Sequence, residues 1–146
     1  LAMANGAWAT INYTEENVVE RVRELTNGEM CDVVYDSVGK DTWGMSLDCL
    51  KPRSLMVSFG NSSGPVDGVN IGILNQKGAL FVTRPSLNGY ADTRERLEMM
   101  CEEFFAMIES GKIHIDVANR YPLQDAGKAQ DALQSRKTTG STILLP

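Results

Sequence analysis

The succession of segments in this chain predicts an α/β fold built on a mainly parallel sheet. Three observations carry that expectation. Short uninterrupted apolar runs, as in CDVVYDSVG and SLMVSF, alternate with stretches of helical periodicity. Runs that are apolar at nearly every position suit strands covered on both faces. The segments between them are long enough for helical crossovers, which join parallel strands with right-handed connections.

Leu1 to Gly6 resembles the last turn of a helix stopped by glycine. WATINY, Trp8 to Tyr13, predicts a short strand. Thr14 is placed to cap the next helix, with Glu15 and Glu16 at its positive end and Val18, Val19, Val22 and Leu25 on its apolar face. Asn27-Gly28 stops it. A strand from about Cys31 to Tyr35 runs into Asp36-Ser37-Val38-Gly39. A helix from about Asp41 to Leu50 carries Trp43, Leu47 and Leu50, and Lys51-Pro52 ends it. Ser54 to Phe59 is the next strand, followed by the polar loop Gly60-Asn61-Ser62-Ser63-Gly64-Pro65. VNIGILNQKG is ambiguous and admits a short helix. Ala79 to Thr83 forms a strand closed by Pro85.

The helix from about Thr93 to Ser110 has the strongest signal. Asp92 and Glu95 have capping-box spacing, Leu97, Met100, Cys101, Phe104 and Ile108 recur at helical intervals, and Gly111 ends it. Its Met and Phe side chains are expected in a core. The tail predicts a strand at Ile113 to Val117, a helix from about Asp125 to Ser135 and a strand at Thr142 to Leu145. A change of character near residue 112 divides the chain into 1–111 and 112–146.

Composition narrows the function. With 146 residues, 42% hydrophobic and 23% charged, the chain has the make-up of one ordinary folded domain. A net charge of -5 argues against a nucleic-acid backbone as main partner. No apolar run approaches the roughly 20 residues of a membrane span. Cys31, Cys49 and Cys101 are odd in number and far apart, which suggests neither a disulfide framework nor a metal site and points to the reducing cytoplasm. The lone His114 reads as structural. Leu1 in place of an initial Met suggests a processed chain or a piece of a longer one.

In open α/β sheets, ligands bind where loops and helix N-termini gather at the carboxyl ends of the strands. Three consecutive strand ends here are built alike, namely Asp36-Ser37-Val38-Gly39, Phe59-Gly60-Asn61-Ser62 and Thr83-Arg84-Pro85-Ser86. Each sets an apolar residue beside small polar groups, as a flat ring carrying an amide requires. Any one of these loops alone reads first as a plain turn; the three together point to a ligand rim. Asp36 reads as a turn cap, with a ribose contact as the alternative.

VVYDSVG, SLDCLKPRSLMVSFGNSSGPV, ILNQKGALFVTRPSL and RKTTGSTILLP resemble the bacterial NADPH-dependent quinone oxidoreductases. These form part of the zinc-free branch of the medium-chain dehydrogenase/reductase superfamily, which includes zeta-crystallin. The resemblance covers only the C-terminal part of such a protein. It implies a partial Rossmann domain, doubly wound and lacking its first strands, over 1–111. The tail, 112–146, would return as an α+β segment to a GroES-like catalytic domain. By position, Tyr13 would lie beside the adenosine 2′-phosphate. Ser37 and Val38 would lie near the ribose and nicotinamide, and Phe59, Gly60, Asn61 and Ser62 would form a nicotinamide wall. Val82, Thr83 and Arg84 would meet the carboxamide, and Arg136 would reach back to the cofactor. The implied activity passes reducing equivalents from NADPH to a quinone, without metal and with no assigned catalytic side chain.

The departures are as informative. No glycine-rich phosphate turn lies in the chain, nor the two strands that would flank WATINY and CDVVYD in a 3-2-1-4-5-6 sheet. The expectation is therefore a C-terminal fragment, a poor enzyme alone. Ala79 to Thr83 would be the outer strand and would pair with its own copy in a homodimer. The alternatives are an NADPH-dependent reductase of enals or enoyl thioesters, or a non-catalytic dimerising nucleotide-binding module.

Overall fold

The computed structural model describes residues 1–135 and 137–146, which form two compact units, Leu1–Gly89 and Tyr90–Pro146. In the first, a short 3-10 turn at Met3–Asn5 leads through an extended segment to α1 (Val18–Leu25). β1 (Cys31–Asp36), α2 (Trp43–Asp48), β2 (Leu50–Ser58), α3 (Gly72–Gln76) and β3 (Phe81–Thr83) follow. The three strands are parallel in the order β1-β2-β3, with Val34, Met56 and Val82 in register. Strand–helix–strand alternation thus yields the expected parallel sheet.

Side chains alternate across the strands, and the two faces differ. Met56 and Val34 join Leu47, Leu50 and Leu80 in the core, against which Trp43 of α2 and Ile73 and Leu74 of α3 also pack. On the opposite face Val33, Tyr35 and Phe81 are exposed. Val57 of the central strand is buried on that same face, so of the strands expected to be covered on both faces it is the flanking β1 and β3 that leave side chains open there.

Several expectations are corrected. WATINY forms no strand: among the described residues nothing pairs with it, and extended backbone becomes a strand only through a ladder. Trp8, Ala9 and Ile11 instead border a small cavity with Val22, Leu25 and Cys31. The cap of α1 is Asn17, whose Oδ1 accepts from the Val19 and Glu20 N–H groups at 3.1 and 3.3 Å. Thr14 is held in the preceding turn, donating to Asn12 Oδ1 at 2.8 Å. The helix expected to reach Leu50 stops at Asp48, and Lys51-Pro52 lies inside β2. The ladder tolerates this proline because pairing is irregular there: Cys31 faces Leu50 but Val33 faces Leu55. β3 begins at Phe81, since Ala79 turns through a φ of 55°.

A short helix, α4 (Leu87–Tyr90), spans the point in the chain where the first unit ends and the second begins. In the second unit, α5 (Arg94–Glu109) is capped by Thr93, one residue later than expected; its Oγ1 accepts from the Arg96 N–H at 3.2 Å. Asp92 pairs with the Arg96 guanidinium at 2.6 Å. None of the α5 side chains is buried, and Phe104, Phe105 and Met99 are exposed, contrary to the expected core role. Periodicity marks a stripe fit for burial but does not supply the layer that buries it. β4 (Asn119–Pro122) and β5 (Thr142–Leu145) are parallel, linked through a 3-10 turn (Leu123–Asp125) and α6 (Ala126–Gln134). The strand expected at 113–117 is absent; pairing starts at Asn119, where Thr142 and the apolar run after it provide a partner.

Candidate functional site

Because the three strands run parallel, their carboxyl ends lie on one edge of the sheet, and the loops that leave them are hydrogen-bonded together. The Phe59 and Gly60 N–H groups donate to the Asp36 carbonyl at 2.9 and 3.3 Å. The Ser62 N–H donates to the Ser37 carbonyl at 3.4 Å, and the Ser63 N–H and hydroxyl both donate to the Val38 carbonyl at 2.9 and 2.8 Å. From the third strand end, Arg84 Nη1 donates to the Ser58 carbonyl at 2.6 Å. Ser37, Val38, Phe59, Gly60, Asn61, Ser62, Val82, Thr83 and Arg84 are thereby gathered along one rim.

Two glycines permit this closeness. A Cβ on Gly60 would lie 2.1 Å from the Ser37 carbonyl oxygen, and one on Gly39, whose φ is 94°, would lie 2.7 Å from that of Gly64. The backbones of the first two loops are in direct contact, which leaves Ser37, Phe59, Asn61 and Ser62 exposed at the rim. Beside them a cavity of about 290 Å³ opens, bordered by Ser58, Asn61, Val82 and Arg84 together with Trp43 and Val69. Its mixture of apolar walls, one amide and one guanidinium is the usual make-up of a small-molecule site.

Asp36 is the residue whose role the sequence leaves open. Its side chain is buried. Oδ1 accepts from the Val38 and Gly39 N–H groups at 2.7 and 2.9 Å, and Oδ2 from the hydroxyls of Thr42 and Ser46 at 2.6 and 2.7 Å. Burial alone would raise its pKa, but the bonds from Thr42, Ser46, Gly39 and Val38 together hold the carboxyl below the ordinary range. Four acceptor positions filled by four donors leave none aimed at a ribose, so the turn-cap reading is the one the structure supports. The pattern Asp36, Gly39, Thr42, Ser46 was the available signal; Trp43 carried no comparable one.

Tyr13 lies in the turn before α1 with its side chain exposed, and it does not border the strand-end cavity. Arg136 lies outside the described residues. The cysteines are free. Burial, with smaller contributions from Cys31 and Asp48, pushes the Cys49 thiol up to about 11, so it stays protonated and packs as a hydrophobe. Among the described residues no three His, Cys, Asp or Glu side chains are grouped as metal ligands would be.

Comparison with known proteins places this geometry. The quinone oxidoreductase of Pseudomonas aeruginosa is 60% identical over 146 residues, covering all of this chain and 45% of that protein. A 2-haloacrylate reductase of a Burkholderia species is 41% identical over 142 residues, 97% of this chain and 43% of the relative. The crystal structure of Escherichia coli quinone oxidoreductase complexed with NADPH matches with a TM-score of 0.94 at 60% identity, over 99% of this chain and 45% of that one. This chain thus spans a little under half the length of these relatives. The likeness identifies β1-β2-β3 and their helices as part of a Rossmann-type sheet. A zinc-binding dehydrogenase family profile matches residues 5–144, and the chain belongs to that family.

Proposed function

We propose that this chain forms the nicotinamide side of the cofactor crevice in an NADPH-dependent quinone reductase. One observation carries the reading: three strand-end loops converge on a single edge, and the loop after β2 and the end of β3 border a cavity whose groups match a planar ring bearing a carboxamide. At the cavity Val82 offers an apolar wall, Asn61 an amide that both donates and accepts, and Arg84 the N–H groups its bond to Ser58 leaves over; Phe59, exposed on the adjoining rim, would flank the ring. Ser37 and Val38 would border the ribose and ring, and Gly60 with Ser62 would complete the wall. The backbone at Val82 and Thr83 would meet the carboxamide. By the resemblance Tyr13 would lie beside the 2′-phosphate and Arg136 would reach back to the cofactor. NADPH, when bound, supplies the hydride; the residues here hold and orient it and keep water from its reactive face.

Residues 1–111 would form the nucleotide-binding part and 112–146 the tail toward the catalytic domain, in a protein of the reducing cytoplasm. The decisive experiment replaces the matching segment of the Pseudomonas aeruginosa enzyme with this chain and follows NADPH oxidation with a quinone. The chimera is expected to keep kcat/KM within about tenfold of its parent. A folded chimera that ignores quinone, or that reduces only 2-haloacrylate, would overturn the assignment.

The partner is proposed to be a second copy. β3 is the outer strand of its sheet, and Phe81 on it is exposed. Such apolar edges are covered or paired in native proteins, and pairing two β3 strands about a two-fold axis would extend the sheet. Light scattering is expected to give twice the chain mass, falling to one chain mass in Phe81→Lys. A wild-type protein at one chain mass would refute the dimer.

A further inference from the structure

We infer that Asp36 is the positioning residue of the cofactor crevice, locking the loops after β1 and β2 against each other without touching the ligand. The inference rests on the reading of this edge as the nicotinamide site. Its carboxylate fixes the Ser37-Val38-Gly39 turn through two N–H groups and anchors that turn to α2 through Thr42 and Ser46. Its own carbonyl holds the other loop through Phe59 and Gly60. One buried residue therefore joins the two contacting loops to α2, whose Trp43 borders the cavity beside Asn61 of the second loop.

Two features separate this from an ordinary buried polar group. Among the described residues the carboxylate takes part in no ion pair, so four neutral donors alone offset its burial, an arrangement that works only while all four stay aligned. The bonds also run to the loops and to the first turns of α2, whereas the apolar core gathers around Leu47, Leu50, Met56 and Leu80. Loss of the carboxylate should loosen the loops before it loosens the core.

The test pairs Asp36→Ala with Asp36→Asn. The asparagine oxygen can still accept from Val38 and Gly39, and its amide can donate to the Thr42 and Ser46 hydroxyls, which can rotate to accept. In the chimera described above, Asp36→Ala is expected to raise the KM for NADPH about tenfold to a hundredfold. Its kcat at saturating NADPH should stay within about threefold, and Asp36→Asn should recover most of the KM. On this chain alone, hydrogen exchange at Val38, Gly39 and Gly60 should quicken at least about tenfold in Asp36→Ala while Met56 keeps its protection. An unchanged KM, or equal loss of protection in loops and core, would overturn the inference. If the wild-type chimera oxidised no NADPH, the functional reading would fall, and the exchange pattern by itself would uphold or refute the loop-setting role.

Discussion

Alanine at Gly60 is expected to cost about 3 kcal/mol or more, because the added methyl has nowhere to go. Gly60 does not owe its place to an unusual φ; the constraint is space. Its Cβ would fall 2.1, 2.6 and 2.7 Å from the carbonyl oxygen, carbonyl carbon and Cα of Ser37, all of them backbone atoms. No rotamer change can relieve that overlap, so the loops must separate. Separation breaks the bonds from Phe59 and Gly60 to Asp36 and from Ser62 to Ser37, each worth about 1 kcal/mol. Gly44 provides the contrast, since it lies in α2 with nothing within 4 Å of its ideal Cβ. Alanine there should stabilise by up to about 1 kcal/mol through helix propensity. Urea titrations followed by circular dichroism would compare the two; similar destabilisation by both would show that the close approach at Gly60 is not as described.

The same contrast explains what could be read from the amino-acid order. β1 and β2 were legible because apolar runs of that length are rare outside buried strands, and α1 and α5 because their periods are strong. WATINY has the same local character as a strand, but strand formation depends on a neighbour, which local character does not report. The tail strand slipped from 113–117 to Asn119–Pro122 for the same reason: its position is set by the run that begins at Thr142. At the site, the three small-polar loops were legible as a rim. That Ser63 serves the β1 loop, rather than a ligand, was not, since its partner Val38 is 25 residues away in the chain. Asp36 was visible as a cap, and its reach to Ser46 follows only once α2 is docked.

That docking sets the second large effect. Leu47→Ala is expected to remove about 3–5 kcal/mol, the upper part of the range for a leucine enclosed on all sides. Leu47 and Met56 are the largest fully buried side chains, and the core they share with Leu50 and Leu80 is small. A small core leaves little reserve stability, so this one truncation should bring the first unit near its unfolding midpoint at room temperature. Leu133, exposed on α6, should tolerate alanine within about 0.5 kcal/mol. Leu47 is also the neighbour of Ser46, which bonds Asp36. Lifting α2 from the sheet should therefore release Ser46 and Thr42 together, and the rim should loosen with the core. The order of events distinguishes this variant from Asp36→Ala, in which the rim loosens alone. A urea midpoint for Leu47→Ala corresponding to less than about 1 kcal/mol, at unchanged slope, would mean that α2 is not what joins the crevice to the core.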